Sequence, residues 1–170
     1  VFPLKVNQLP NFIHPLVSMG KKYNYGLEAG SKAELVIAMT YNNMGSPITI
    51  NGFKDKEMIH LCFIAKSMGH NITIIIEGLN ELEMIIEVLK ETKLESPNIG
   101  LRVRLHSGGS GLWAKSGGIN SKFGLTSTEI LEAYELMEDN NIVKSLTMIH
   151  FHIGSAMNSI KKKKKALRES

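Results

Sequence analysis

An α/β fold built on a parallel sheet is what this sequence predicts, and three observations predict it. Strand-like and helix-like segments alternate, about six of each. Successive strands are separated by about 20–25 residues, room for a crossover helix rather than a hairpin turn. Residues 72–76, Ile-Thr-Ile-Ile-Ile, form an apolar run without polar alternation, as a strand covered on both faces requires. An open doubly wound sheet and a partial (β/α)₈ barrel both satisfy the pattern. In either, chemistry belongs at the carboxyl ends of the strands.

The first strand is expected over residues 1–6. Alternation puts Phe2, Leu4 and Val6 on one face and Pro3, Lys5 and Asn7 on the other, and Pro3 has no N–H for the ladder. A weak helix follows over 9–19, with Pro10 in its first turn and Pro15 less easily housed. A brief strand spans 25–27. Ser31 and Glu34 form a capping box that opens a helix with Leu35, Ala38 and Met39 as its buried stripe. Residues 47–50 make a strand and Asn51-Gly52 a turn. Asp55 caps a helix to about residue 68 that turns Met58, Ile59, Cys62 and Phe63 inward, and Gly69 ends it.

After the strand at 72–76, Asn80 is expected to cap a helix with Leu82, Ile85, Ile86 and Leu89 on one side. A strand over 99–106 alternates Leu101, Val103 and Leu105 with Arg102, Arg104 and His106. The loop at 107–121 carries Gly108, Gly109, Gly111, Gly117 and Gly118; loops of that length inside a compact domain are usually functional or disordered. Thr126 and Glu129 form a second capping box and open a helix to about residue 140. The last strand covers 146–153. His150 and His152 share a face with Met148, while Ile149, Phe151 and Ile153 pack on the other, and Gly154-Ser155 starts a further helix.

A chain of 170 residues can bury one real core but falls short of the roughly 250 of a complete eight-fold barrel. The net charge of +4 is misleading, because the five lysines at 161–165 supply more than the whole excess. The body has no electropositive character, and nucleic acid is not an expected partner. Cys62 is the single cysteine, so no internal disulfide and no cysteine cluster can form, and a reducing, cytoplasmic setting fits. No run approaches the roughly 18 apolar residues of a membrane span, and no membrane partner is expected. The first residue is not Met and falls within a strand-like run, so the chain is expected to be cut from something longer.

Polar side chains collect at the expected strand ends: Lys5 and Asn7, Glu28, Arg104 and His106, His152 and Ser155. Each has an ordinary reading. Lys5 fits a surface lysine on a frayed strand; Glu34 is the third residue of its capping box; Ser155 is a helix N-cap. Inward histidines are commonly satisfied core residues. Guanidinium groups on an inner strand face need an anionic partner, so one of Arg102 and Arg104 is assigned a functional role. A helix start such as Ser155 also offers free N–H groups and a dipole to an anion. Residues 109–116 nearly fit a phosphate-binding P-loop, but Ala114 stands where its second glycine must be, and Gly117-Gly118 follows where a helix should begin. His150 and His152 lack an identifiable third ligand, so no metal site is assigned.

Four stretches carry a resemblance: Val1-Phe2-Pro3-Leu4-Lys5-Val6-Asn7-Gln8, Gly26-Leu27-Glu28-Ala29-Gly30-Ser31-Lys32-Ala33-Glu34-Leu35, Ser121-Lys122-Phe123-Gly124-Leu125 and His150-Phe151-His152-Ile153-Gly154-Ser155. The chain to about residue 160 resembles the biosynthetic arginine decarboxylases, in the alanine-racemase-like group of pyridoxal phosphate enzymes that also holds ornithine and diaminopimelate decarboxylases. The Lys5 and His152 motifs mark the wider group; the glycine-rich loop Ser107-Gly108-Gly109-Ser110-Gly111-Leu112-Trp113 points to arginine decarboxylase. The resemblance implies a (β/α)₈ barrel over residues 1–160, with about six β/α units in this chain, and a C-terminal β domain absent here; the five like charges at 161–165 argue for an irregular or helical Lys-rich end over 161–170.

It further implies that Lys5 holds pyridoxal 5′-phosphate as a Schiff base, His152 stacks on the ring, Ser155 binds the phosphate and Arg104 lies near O3′. Glu28 and Glu34 match acidic positions near that bond and the substrate carboxylate. The implied reaction removes the α-carboxylate of L-arginine as carbon dioxide and leaves agmatine, an entry to polyamines. Magnesium and a homodimer or homotetramer with sites at subunit interfaces are implied with it. Several departures accompany the match. The acidic partner of the pyridine nitrogen and a second phosphate turn lie beyond residue 170 in the family, Cys62 cannot replace the family's site cysteine, and Ala156 stands where Gln is usual. Six strands cannot close an eight-stranded barrel, and open edges favour association.

Overall fold

The computed structural model describes residues 1–105, 123–152, 164, 167 and 168. Six parallel strands form one sheet: β1 (Phe2–Pro3), β2 (Leu27–Ala29), β3 (Pro47–Ile50), β4 (Asn71–Ile76), β5 (Asn98–Arg102) and β6 (Leu146–His150). Their order is β1-β2-β3-β4-β5-β6, every neighbour parallel. A doubly wound sheet reverses its order at a switch point; this one never reverses, which decides for the barrel. Helices α1 (Pro10–Gly20), α2 (Lys32–Tyr41), α3 (Lys56–Ser67), α4 (Leu79–Thr92) and α5 (Ser127–Asp139) connect the strands. Each of the first four packs beside the next, α4 against α5, so the helices line one face, as consecutive units of a (β/α)₈ barrel do.

The core lies between that helix layer and the sheet. Leu35 and Ala38 of α2, Ile59, Cys62 and Phe63 of α3, Leu82, Ile85 and Val88 of α4 and Ala133 and Met137 of α5 are fully buried. They meet Ile48 and Ile50 of β3, Ile72, Ile74 and Ile76 of β4 and Ile99 and Leu101 of β5. At roughly 1.5–3 kcal/mol for each large side chain removed from water, this layer holds the strands in place. Gly26 marks the tightest approach. A methyl there would sit 1.8 Å from the Pro47 carbonyl oxygen, so only glycine lets β2 lie beside β3.

Several sequence expectations shift. The first strand is two residues long, and residues 4–6 turn away, with the Val6 N–H donating to the Pro3 carbonyl at 3.1 Å. Leu4 is buried and Val6 is 67% exposed, so they do not share a face, and Lys5 projects from a turn rather than from a strand. The second strand starts at Leu27, not at residue 25. Asn24 takes a left-handed φ of 51° and the Tyr25 N–H donates to the Gly20 carbonyl, so Tyr25 belongs to the preceding turn.

Asn80 does not cap α4. Gly78 is the N-cap, and Glu81 reaches back to accept the Glu77 N–H at 2.8 Å. Glu34 does the same at α2. Ser31 accepts the Glu34 N–H as expected, but the Glu34 carboxylate takes the Gly30 N–H at 2.7 Å, one residue before the cap. Only α5 shows the reciprocal box, between Thr126 and Glu129. The fifth strand ends at Arg102, after which Val103 bridges to Leu125. Ile149 on β6 is 50% exposed rather than packed, because no described element covers that face. Ile153 lies outside the described residues.

Candidate active site

A hollow of about 410 Å³ opens where the strands end, within the roughly 300–1,000 Å³ of small-molecule sites. Lys5 enters it from the turn after β1, Asn51, Gly52 and Phe53 from the turn after β3, Glu77 from just after β4, Arg102 from β5, His150 from β6 and His152 from just after it, with Phe123 at the side. Parallel strands in sequential order place every carboxyl end on one rim, so residues far apart in the chain share one pocket.

A charged layer crosses the pocket. The Arg102 guanidinium pairs with the Glu77 carboxylate, both largely sheltered from solvent. The Phe123 ring lies 5.5 Å from that guanidinium, within cation–π range. Arg102 and His150 are register partners across β5 and β6, which sets cation and imidazole side by side. Burial lowers the pKa of His150 from its ordinary 6.5, Arg102 and His152 lower it further, and Glu77 opposes them. Burial also lowers His152, with Arg102 and Lys5 acting in the same direction and Glu28 against. Both imidazoles are therefore neutral at neutral pH. The Nδ1 of His150 is buried and has no hydrogen-bond partner among the described residues. A buried polar atom of that kind marks a place where a ligand can supply the missing bond.

The expected site residues fall into three groups. Lys5 and His152 share the pocket. Glu28 and Glu34 flank it: Glu28 accepts from Asn51 Nδ2 at 3.4 Å, and Glu34, buried, accepts from Gln8 Nε2 at 3.1 Å and from the Gly30 N–H. Glu34 thus ties the stretch after Lys5 to the start of α2. Arg104 turns aside: its Nε and Nη2 donate to the Gly124 carbonyl at 3.1 and 2.9 Å. It lines an adjoining hollow of about 290 Å³ with Asn80, Glu81 and Glu129, and Phe53, Glu77 and Phe123 border both. Ser155, His106, the glycine loop at 107–121 and Ala156 lie outside the described residues. Of the two inner arginines, Arg102 is the one with an ion pair among the described residues. Sequence reading missed Glu77, although its place after the apolar run of β4 is the same strand-end signal that singled out Arg104. It also missed Asn51, which reads as a turn residue, and the 84% exposed Phe53.

An amine, two neutral imidazoles and a guanidinium clamped by a carboxylate can hold a small carbonyl compound bearing an anionic group. The sequence profile described as the pyridoxal-dependent decarboxylase pyridoxal binding domain matches residues 1–170. The biosynthetic arginine decarboxylase of Bacteroides thetaiotaomicron is 46% identical over 171 residues, covering 100% of this chain and 27% of that protein. The crystal structure of the biosynthetic arginine decarboxylase of Campylobacter jejuni superposes with a TM-score of 0.88 at 59% identity, over 99% of this chain and 26% of that one. Diaminopimelate decarboxylase from M. jannaschii, solved with L-lysine, gives 0.81 at 25% identity over 99% and 38%. The chain thus spans about a quarter of the length of the arginine decarboxylases it matches.

Proposed function

The chain belongs to the pyridoxal-dependent decarboxylases, in their pyridoxal binding domain, and from that premise we propose that it is the cofactor-binding part of an L-arginine decarboxylase that yields agmatine and carbon dioxide. The observation that carries this reading is the meeting of Lys5 with His150, His152 and the Glu77–Arg102 pair in one pocket. The identity to named arginine decarboxylases supports the substrate, being higher than that to the diaminopimelate enzyme.

The residues present fit pyridoxal phosphate. Lys5 is a primary amine at the mouth, and the His150 Nδ1, without a partner among the described residues, leaves a polar position open inside. Lys5 would hold the cofactor with His152 beside it; the family resemblance adds Ser155 for the phosphate and Arg104, whose guanidinium would have to leave the Gly124 carbonyl to reach it. When bound, the cofactor supplies an electron sink for the pair left as the carboxylate departs. The protein's own contribution is electrostatic. Neutral His150 and His152 add no charge beside the Lys5 amine, and Arg102, its charge balanced by Glu77, presents a fixed guanidinium to the pocket. Glu34 fixes the chain after Lys5 through Gln8. By the resemblance, Glu28 and Glu34 would act as catalytic residues near the Lys5 linkage and the substrate carboxylate.

Magnesium enters through the family resemblance alone. Among the described residues no group of three or more His, Cys, Asp and Glu side chains is placed to hold a metal, so no step is assigned to it. Homodimer or homotetramer formation, a place in putrescine and spermidine synthesis and a cytoplasmic location belong to the same proposal. Among the described residues no helix is long and apolar enough to cross a membrane.

The test is carbon dioxide release from carboxyl-labelled arginine, ornithine, lysine and diaminopimelate with pyridoxal phosphate added. Release from arginine above the others, lost in Lys5→Ala, is expected. Preference for another amino acid moves the chain to a sister activity, and cofactor binding without any release leaves a binding module.

A further inference from the structure

Lys54 is the most deeply buried charged side chain among the described residues, 1% exposed, and nothing in the proposed chemistry uses it. It lies in the turn between β3 and α3. Its Nζ sits 3.0 Å from Glu81 Oε1, in the first turn of α4, where the Glu81 side chain is 8% exposed. Burial pushes the Glu81 carboxyl above the usual carboxylate range, and the Lys54 ammonium pulls it back. Apolar residues of similar volume would hold the two connections together as well or better, so stability alone does not account for a buried ion pair.

What the pair does besides is directional. Each member aims its other polar contact at a pocket residue. The Lys54 Nζ donates to the Gly52 carbonyl, and Gly52 lines the pocket. Glu81 Oε2 accepts the Glu77 N–H at 2.8 Å, which fixes the backbone from which the Glu77 carboxylate reaches Arg102. Arg102 in turn faces His150 in register.

We propose that the Lys54–Glu81 pair is a positioning device for the pocket. Through the Glu77 amide it sets the Glu77 carboxylate, and through that carboxylate it sets the Arg102 guanidinium beside His150 and His152. Neither residue touches the ligand; both act through Glu77. The inference rests on the proposed function only for what the pocket serves, because the placement of Arg102 can be read without any cofactor.

The experiment is an NMR titration of His150 and His152 in cofactor-free protein, comparing the parent with Lys54→Met/Glu81→Leu. That double variant removes both buried charges and keeps apolar volume, so folding is expected to persist. The charged groups facing the two histidines are Lys5, Glu28, Glu77 and Arg102, and none is altered. If the pair sets Arg102, both histidine pKa values rise towards 6.5, and the pyridoxal phosphate concentration needed to half-label Lys5 under borohydride rises several-fold. Glu81→Gln, which can still face Lys54 with an oxygen but then offers the Glu77 N–H only an amide, serves as the second variant if the double one fails to fold, with the same shift expected. Histidine titrations that superimpose on the parent's in a folded variant overturn the proposal. Failure of the parent itself to label at Lys5 sinks the cofactor assignment instead and leaves the histidine result standing.

Discussion

Replacing Glu34 with alanine should loosen the segment after Lys5 more than it harms the helix that carries Glu34. The carboxylate makes two hydrogen bonds, one from the Gly30 N–H at 2.7 Å and one from Gln8 Nε2 at 3.1 Å. Bonds to a charged acceptor are worth about 1.5–3 kcal/mol each when sheltered. Gln8 is exposed, so its bond is discounted, and the pair comes to about 2–4 kcal/mol. Urea denaturation of Glu34→Ala should show a loss in that range. The Gly30 amide gives the sharper reading. Its bond goes to Glu34, so in the variant its hydrogen exchange should accelerate about ten- to a hundred-fold, at about 1.4 kcal/mol per tenfold. Glu34→Gln retains an oxygen for Gly30 and should exchange far less rapidly than the alanine variant. A loss below about 0.5 kcal/mol with the Gly30 amide still protected would refute the anchoring role.

Three further outcomes follow from the same geometry. Gly26→Ala puts a methyl 1.8 Å from the Pro47 carbonyl oxygen, so β2 and β3 must separate at a cost of at least about 1–3 kcal/mol, seen as a lower urea midpoint; an unchanged midpoint contradicts the close approach. The Cys62 thiol, pushed up to about 12 by burial with Lys54 pulling it down, should react with aromatic disulfide reagents only as fast as the protein opens; rapid labelling of native protein contradicts its burial. The lowered pKa values of His150 and His152 make the fold acid-sensitive. An unfolded imidazole takes its proton near 6.5 and the folded one only at lower pH, so their contribution is complete above about pH 6.5 and declines as the pH falls towards the folded values. Their replacement by Gln should flatten that decline in the urea midpoint.

Much of the scaffold was legible because its signals are local. Ser31, Asp55 and Thr126 sit at the helix starts where their side chains accept the backbone N–H three residues on, and the β4 apolar run is buried as an inner strand should be. Failures came where a longer-range contact decides. Glu34 and Glu81 reach one residue before the helix N-cap, because the N–H groups of Gly30 and Glu77 are the donors left open at the strand ends. Lys5 leaves the strand because residues 4–6 turn after Pro3. Arg102 and Arg104 look equivalent in the sequence. Only the fold sets Glu77 beside the first and the Gly124 carbonyl beside the second. A lysine in a turn reads as solvated, so nothing local announces that Lys54 is buried against Glu81.

The strand-end pocket as a pyridoxal phosphate site stands or falls on one measurement: borohydride reduction of the protein with limiting pyridoxal phosphate, followed by peptide mass mapping. One phosphopyridoxyl group is expected on Lys5, prevented when an excess of a cofactor analogue without the aldehyde is present before the borohydride, and absent in Lys5→Ala. Label spread over surface lysines such as Lys21, Lys22 and Lys90, with Lys5 no more reactive than they are, would contradict it.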